Sequence, residues 1–222
     1  MEKAVVTFSG GLDSTTLLYW AAKRYEVNAV TFDYGSKHNE REQSAAKKIA
    51  GRLGVPHVII RLPFVNEFFK SSLLKSGDEI PEGHYEDSSM RSTVVPFRNG
   101  IILSIAVGYA ESIEAKSVLY AAHAGDHAIY PDCRPEFLKA ISEAGHHGTY
   151  LGVEIKDPFI NIAKKELVVL GNELGVPFEL TYSCYKGGEL HCGKCGTCVE
   201  RKEAFLLAGK PDPTRYEKPK NE

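Results

Sequence analysis

The sequence predicts an α/β protein built on a doubly wound parallel sheet, and three observations carry that reading. Short apolar runs rich in Val, Ala and Ile alternate with helical stretches from the first residues onward, which is the rhythm of βαβ units. The first run ends on Ser9-Gly10-Gly11 and passes straight into a helix, as a strand buried on both faces does at a crossover. A second and a third strand follow at once, each separated by a helix, so right-handed crossovers make the sheet parallel. With 222 residues, 43% hydrophobic and 25% charged, the chain can bury a core without disulfide staples.

Residues 4–8 form the first strand, and residues 14–24 a helix that turns Leu17, Leu18 and Ala21 toward the sheet. Residues 28–32 are the second strand, closed by Asp33-Tyr34-Gly35. Residues 38–53 read as a long polar-faced helix ended by Gly54, and 57–62 as a third strand stopped by Pro63. Between 63 and 96 the pattern weakens into Gly, Ser, Glu and Asp, so a surface excursion or lid is expected there. Residues 98–113 return to a helix, 117–122 to a strand, and 135–145 to a helix with Pro in its first turn. A helix over 161–174, capped by Asn161, and another over 197–207 complete the order. The tail from Lys210, rich in Lys and Pro, is expected to fray. The reading divides the chain into an α/β domain over 1–181 and a cysteine-bearing segment over 182–222.

Charge and composition narrow the function classes. Lys and Arg total 27 against 29 Asp and Glu, a formal net charge of −2, so no overall basic field exists to hold a long nucleic acid. No apolar run reads as a membrane span, and no cleavable leader precedes the first strand. A cytoplasmic enzyme acting on small molecules is expected, and a homodimer is left open. Of five cysteines, Cys184, Cys192, Cys195 and Cys198 cluster and Cys133 stands apart, which argues for metal binding over disulfides. Cys192, Cys195 and Cys198 recur at intervals of three with glycines between them, and Cys184 can supply a fourth thiolate. That is a closed tetrahedral structural zinc site, one ion per chain. An iron–sulfur cluster, or His191 as an alternative ligand, is the competing assignment.

Two loops fall at the carboxyl edge of the sheet, where ligands bind. Phe8, Ser9, Gly10, Gly11, Leu12, Asp13, Ser14, Thr15, Thr16, Leu17 and Leu18 follow the first strand. The glycines bring N–H groups close to an anion, the hydroxyls add donors, and the helix N-terminus adds its dipole. The loop suits a phosphate, yet lacks the Walker A pattern; the alternative is a plain strand-to-helix turn. The second loop, 121–137, gathers Asp126, Asp132, Arg134, two histidines and Tyr130. It suits a polar heterocycle, or else is a solvated loop in which Asp132 caps the next helix.

The Ser9-Gly10-Gly11-Leu12-Asp13-Ser14 string resembles the PP-loop ATP pyrophosphatase superfamily, whose loop grips the triphosphate of ATP. Tyr130-Pro131-Asp132-Cys133-Arg134-Pro135-Glu136-Phe137, Val95-Pro96-Phe97-Arg98-Asn99 and the cysteine knuckle resemble one branch of it, the 7-cyano-7-deazaguanine synthases, over nearly the whole chain. Tyr34-Gly35 with His38 and Glu42 fits the same family. The resemblance implies an ATP-dependent ligase joining ammonia to 7-carboxy-7-deazaguanine on the way to queuosine or archaeosine. It implies ATP as substrate with Mg²⁺ aided by Asp13, and substrate contacts from Arg98, Asp126, Asp132 and Arg134. Asp would accept N–H groups from the pyrimidine edge, and Arg would bind the carboxylate. No covalent nucleophile is needed, and none is assigned. A tRNA-thiolating relative would need a spare reactive cysteine and a basic surface, and a non-catalytic zinc-knuckle module would not need the phosphate loop.

Overall fold

The computed structural model describes residues 1–84 and 87–218; two residues of the 63–96 excursion and the tail over 219–222 lie outside the described residues. Its centre is a parallel sheet of β1 (Lys3–Thr7), β2 (Glu26–Asp33), β3 (His57–Arg61), β4 (Ser117–Leu119) and β5 (Glu154–Lys156), in the order β3-β2-β1-β4-β5. The chain winds outward through β2 and β3, then crosses back to place β4 on the other side of β1. Loops leaving β1 and β4 therefore diverge, and the crevice between them is the switch point where such sheets bind ligands.

Helices α1 (Leu12–Ala22), α2 (Asn39–Leu53), α3 (Pro63–Phe68), α4 (Arg98–Ser112), α5 (Pro135–Gly148), α6 (Lys164–Leu174) and α7 (Gly196–Leu207) surround the sheet. Alternation along β1 sorts its residues between two faces. Ala4 and Val6 join a core with Leu17 and Leu18 of α1, Ile49 of α2, Leu167 of α6 and Phe205 of α7. Val5 joins the opposite core with Leu103, Ala106 and Ala110 of α4. Both faces are covered, as the doubly wound reading requires.

Several local expectations give way. Strand β5 has no apolar run to announce it, because only Ile155 of its three residues is buried. Helix α1 begins at Leu12, before Ser14, and α6 at Lys164; Asn161 is no cap, and the Ala163 N–H donates to the Glu166 carboxylate at 2.7 Å instead. The 63–96 segment is not a detached lid. Its Leu73, Leu74, Met90 and Thr93 are buried, and the Lys37 ammonium donates to the carbonyls of Ser72 and Gly77 at 3.0 Å. The tail does not fray through residue 217: Glu217 N–H donates to the His191 carbonyl at 2.9 Å, and Tyr216 donates to Asp212 at 2.6 Å. Ser88–Ser112 has the length and composition of a membrane span, against the expectation of none; within it α4 buries Leu103, Ala106, Val107 and Ala110 in the core.

Gly10 is the position where the backbone leaves no choice of residue. It sits at φ 85°, and a Cβ there would meet Ala46 N at 2.7 Å and Glu42 O at 2.9 Å. Both are backbone atoms of α2, so nothing flexible can give way. Gly10→Ala is expected to destabilise the fold by about 2 kcal/mol or more, read as a lowered midpoint in urea unfolding.

Candidate active site

The loop after β1 is braced by its own hydroxyls. Ser9 N–H donates to Ser14 Oγ at 3.2 Å, Gly11 N–H donates to Ser9 Oγ at 3.2 Å, and the two hydroxyls stand 3.1 Å apart. Among the described residues no side chain caps α1, so its leading N–H groups could meet an anion. Phe8, Ser9, Gly11, Leu12, Asp13 and Ser14 line a cleft of about 210 Å³ at the switch point. Gly10, Thr15, Thr16, Leu17 and Leu18 do not line it. Gly10 makes the turn, while Thr15 to Leu18 are buried in α1 behind the loop.

A charge network closes one end of this cleft. Lys164, at the start of α6, lies 3.2 Å from the Asp13 carboxylate and 2.6 Å from that of Glu200 on α7. Buried His123 reaches Glu200 at 3.5 Å and Asp126 at 3.6 Å. Burial alone would push the Asp13 carboxyl up, but Lys164, His123 and Arg201 outweigh it and hold the group below the usual carboxylate range. Burial likewise opposes a charge on Lys164, and Asp13 and Glu200 overcome it, raising its pKa. Asp13 Oδ1 is buried with no hydrogen-bond partner among the described residues. A hard cation on a phosphate is a partner that would satisfy that orphaned oxygen.

At the other end Arg98 opens α4. Phe97 before it adopts φ 53°, a left-handed conformation costly for a bulky residue, and this turn aims Arg98 into the cleft. Its guanidinium donates to Tyr34 OH at 3.3 Å and to Asn99 Oδ1. Asp126 also lines the cleft. Asp132 and Arg134 do not. The Asp132 carboxylate accepts the Asn99 N–H at 2.8 Å, so it secures the start of α4, not that of the helix after it, and Arg134 donates to the His127 carbonyl at 3.0 Å. Cys133 lies among Tyr120 OH and Asn99 Nδ2, each at 3.2 Å. Burial and neighbouring Asp126 push its thiol well above the ordinary value, the opposite of an activated nucleophile.

Four buried sulfurs, those of Cys184, Cys192, Cys195 and Cys198, lie within 4.8 Å of one another and can hold a metal ion. Backbone N–H groups of Cys192 and Cys195 donate to the Cys184 and Cys192 sulfurs at 3.3 Å, the usual support for thiolates. His191 is turned away, its Nε2 accepting the Ser183 N–H at 3.0 Å. The knuckle belongs to the cleft wall: Tyr182, Ser183, Tyr185 and Thr197 line it, and Tyr182 N–H donates to the Gly10 carbonyl at 2.9 Å.

Sequence reasoning missed Lys164, Glu200 and the lining role of Tyr182 and Tyr185. Nothing in Ala163-Lys164-Lys165-Glu166 tells one lysine from the other; only the start of α6 does. Lys164→Met is expected to leave two buried carboxylates without their cation. The cost should be about 3 kcal/mol, and the Asp13 pKa should rise. The stabilisation at stake is present above about pH 4 and disappears as pH falls through the lowered Asp13 pKa. Acid unfolding of wild type and variant, followed by circular dichroism, checks both statements.

Comparison with known proteins gives one consistent answer. A protein of Porphyromonas gingivalis called 7-cyano-7-deazaguanine synthase is 54% identical over 217 residues, covering 97% of this chain and 98% of that one. Proteins of the same name from Desulfotalea psychrophila and Methanoregula boonei are 50% and 49% identical, each over 97% of this chain and 99% of its own length. Among solved structures, NMN synthetase from Francisella tularensis superposes with a TM-score of 0.51 at 18% identity, covering 95% of this chain and 78% of that one. At that identity it supports the fold alone. Residues 3–209 match the family described as Queuosine biosynthesis protein QueC, and the chain belongs to that family of ATP-dependent 7-cyano-7-deazaguanine synthases.

Proposed function

We propose that this chain converts 7-carboxy-7-deazaguanine and ammonia into the nitrile 7-cyano-7-deazaguanine at the expense of ATP, on the route to queuosine or archaeosine. The observation that carries the reading is the uncapped phosphate loop at the switch point, in a chain full-length similar to relatives of that name. A carboxylate resists attack by ammonia because its oxygen leaves badly. In the proposed sequence its oxygen attacks the α-phosphorus of ATP and pyrophosphate departs. Ammonia then adds to the acyl carbon, AMP leaves, and a proton is lost to give the amide. The amide oxygen is activated in the same way by a second ATP, and loss of AMP and of the remaining N–H protons leaves the nitrile.

The residues divide this work by position. Ser9, Gly11, Ser14 and the start of α1 cradle the phosphates, and Lys164 lends positive charge beside them. Asp13, with its spare oxygen, is the residue to hold Mg²⁺; bound there the ion would neutralise charge on the phosphate oxygens. Arg98 and Asp126 face the substrate. No protein nucleophile takes part, in keeping with the buried thiol of Cys133.

Incubating the protein with ATP, ammonium and the carboxylate, with products read by mass spectrometry, tests the reading; it fails if neither amide nor nitrile forms. Asp13→Asn and Ser14→Ala should each keep the fold and lose about 10²-fold or more in turnover. Unchanged rates would reduce the loop to a turn. For the knuckle we propose zinc: four buried thiolates this close suit tetrahedral ligation, whereas a cubane cluster would spread them farther. Cys192→Ser should lose metal and thermal stability together, since ligand binding here is also folding energy. Elemental analysis finding iron and sulfide, or a fully folded metal-free protein, counts against zinc.

A further inference from the structure

The carboxylates lining the cleft are not equivalent. Asp13 is matched by Lys164, and Asp126 accepts the His123 N–H at 3.1 Å. Glu42, on the first turn of α2, lines the same cleft with a side chain only 17% exposed. No hydrogen-bond donor reaches its carboxylate among the described residues, and the basic group within 4 Å of it is His38 Nε2, at 3.7 Å. That imidazole is no cation near neutral pH, since burial lowers its pKa to about 4. Burial pushes the Glu42 carboxyl itself up to about 8, although Arg98 draws it back. A half-buried acid with no donor costs stability, and it belongs where a ligand brings the donors.

Arg98 lines the same cleft, near enough for its charge to be felt at Glu42, and is the complementary group. Tyr34 and Asn99 orient its guanidinium without using all of its N–H groups. Flat rings form the wall here: His38 lies against Tyr185 with centroids 5.3 Å apart. An acceptor next to a donor, beside aromatic faces, matches a planar heterocycle that presents N–H groups next to a carbonyl. The pyrimidine edge of a 7-deazaguanine has that pattern, with its ring N–H and 2-amino group next to the ring carbonyl. A ribose diol offers donors but no adjoining carbonyl.

We propose that Glu42 and Arg98 read the pyrimidine edge of the substrate, Glu42 accepting the ring N–H and the 2-amino group while Arg98 donates to the ring carbonyl. This rests on the substrate class proposed above, and it moves edge recognition from the 126–134 loop to α2. Glu42 is thereby a specificity-determining residue.

The test compares 7-carboxy-7-deazaguanine with its 2-deamino analogue in wild type and Glu42→Gln. Wild type should prefer the 2-amino compound by about 10²-fold or more in kcat/KM. Glu42→Gln should shrink that preference at least about tenfold, chiefly through KM for the carboxylate, and leave KM for ATP unchanged. An unaltered preference in the variant overturns the proposal, and so does a rise confined to KM for ATP, which would place Glu42 on the nucleotide. Should Glu42→Gln fail to fold, wild type alone decides, because equal use of the two compounds is incompatible with edge reading. Should wild type make no nitrile, the functional reading falls separately. Calorimetric affinities of the same two compounds then judge Glu42, and equal affinities overturn its role.

Discussion

The structure turns on one buried cation. Lys164 brings together carboxylates from α1 and α7, elements more than a hundred residues apart in sequence, and does so at the mouth of the phosphate loop. Desolvating three charges is costly, and the arrangement persists only because each is met by another and by His123 beside Glu200. The consequence reaches beyond stability. Asp13 is fixed as an anion with one oxygen spent on Lys164 and the other left bare. Two carboxylates on one ammonium leave the network net negative, so on the proposed function it would offer a seat for a metal ion, and the N–H groups at the start of α1 would be the part that meets a polyphosphate.

The cysteine knuckle acts on the same loop from the opposite side. Its Tyr182 N–H meets the Gly10 carbonyl, and Glu82 of the 63–96 segment pairs with Cys195 through an isolated bridge. Behind it Arg201, fully buried, donates to Thr181 Oγ1 at 2.7 Å, to the Phe178 carbonyl at 3.1 Å and to Asp212 at 3.2 Å. One guanidinium thus ties α7, the chain before the knuckle and the tail into a single unit. A metal-binding motif that looks like an appendage is in this way part of the cleft wall.

How much of this was legible depends on how local the cause is. The parallel sheet was readable because strands buried on both faces leave apolar runs, and the turn after β1 because only glycine permits it. The knuckle was readable because metal chemistry fixes both residue type and spacing. β5 was not, since an edge strand of three residues needs only Ile155 inside. The 63–96 segment misled for a related reason: its buried residues are scattered, and what they pack against is distant in sequence. Asp132 shows the same limit within the site. Its type and loop suggested a ligand contact, whereas Asn99, brought in by α4, takes its carboxylate.

The two ends of the cleft differ in a way that follows from what each must bind. At one end of the cleft Asp13 and Glu200 share the Lys164 ammonium, and the His123 N–H is donated to Asp126. Around α2 the matching is incomplete: among the described residues Glu42 has no donor, and Arg98 holds N–H groups in reserve beside Tyr34. A neutral heterocycle pays little desolvation to enter such a place and supplies the missing partners in one plane. Because leaving those groups unmatched is costly, a ring lacking the right edge would be refused even where it fits by shape. On the function proposed above, catalytic reach and substrate choice would be separated along one cavity, with a charged end that activates and a polar end that selects.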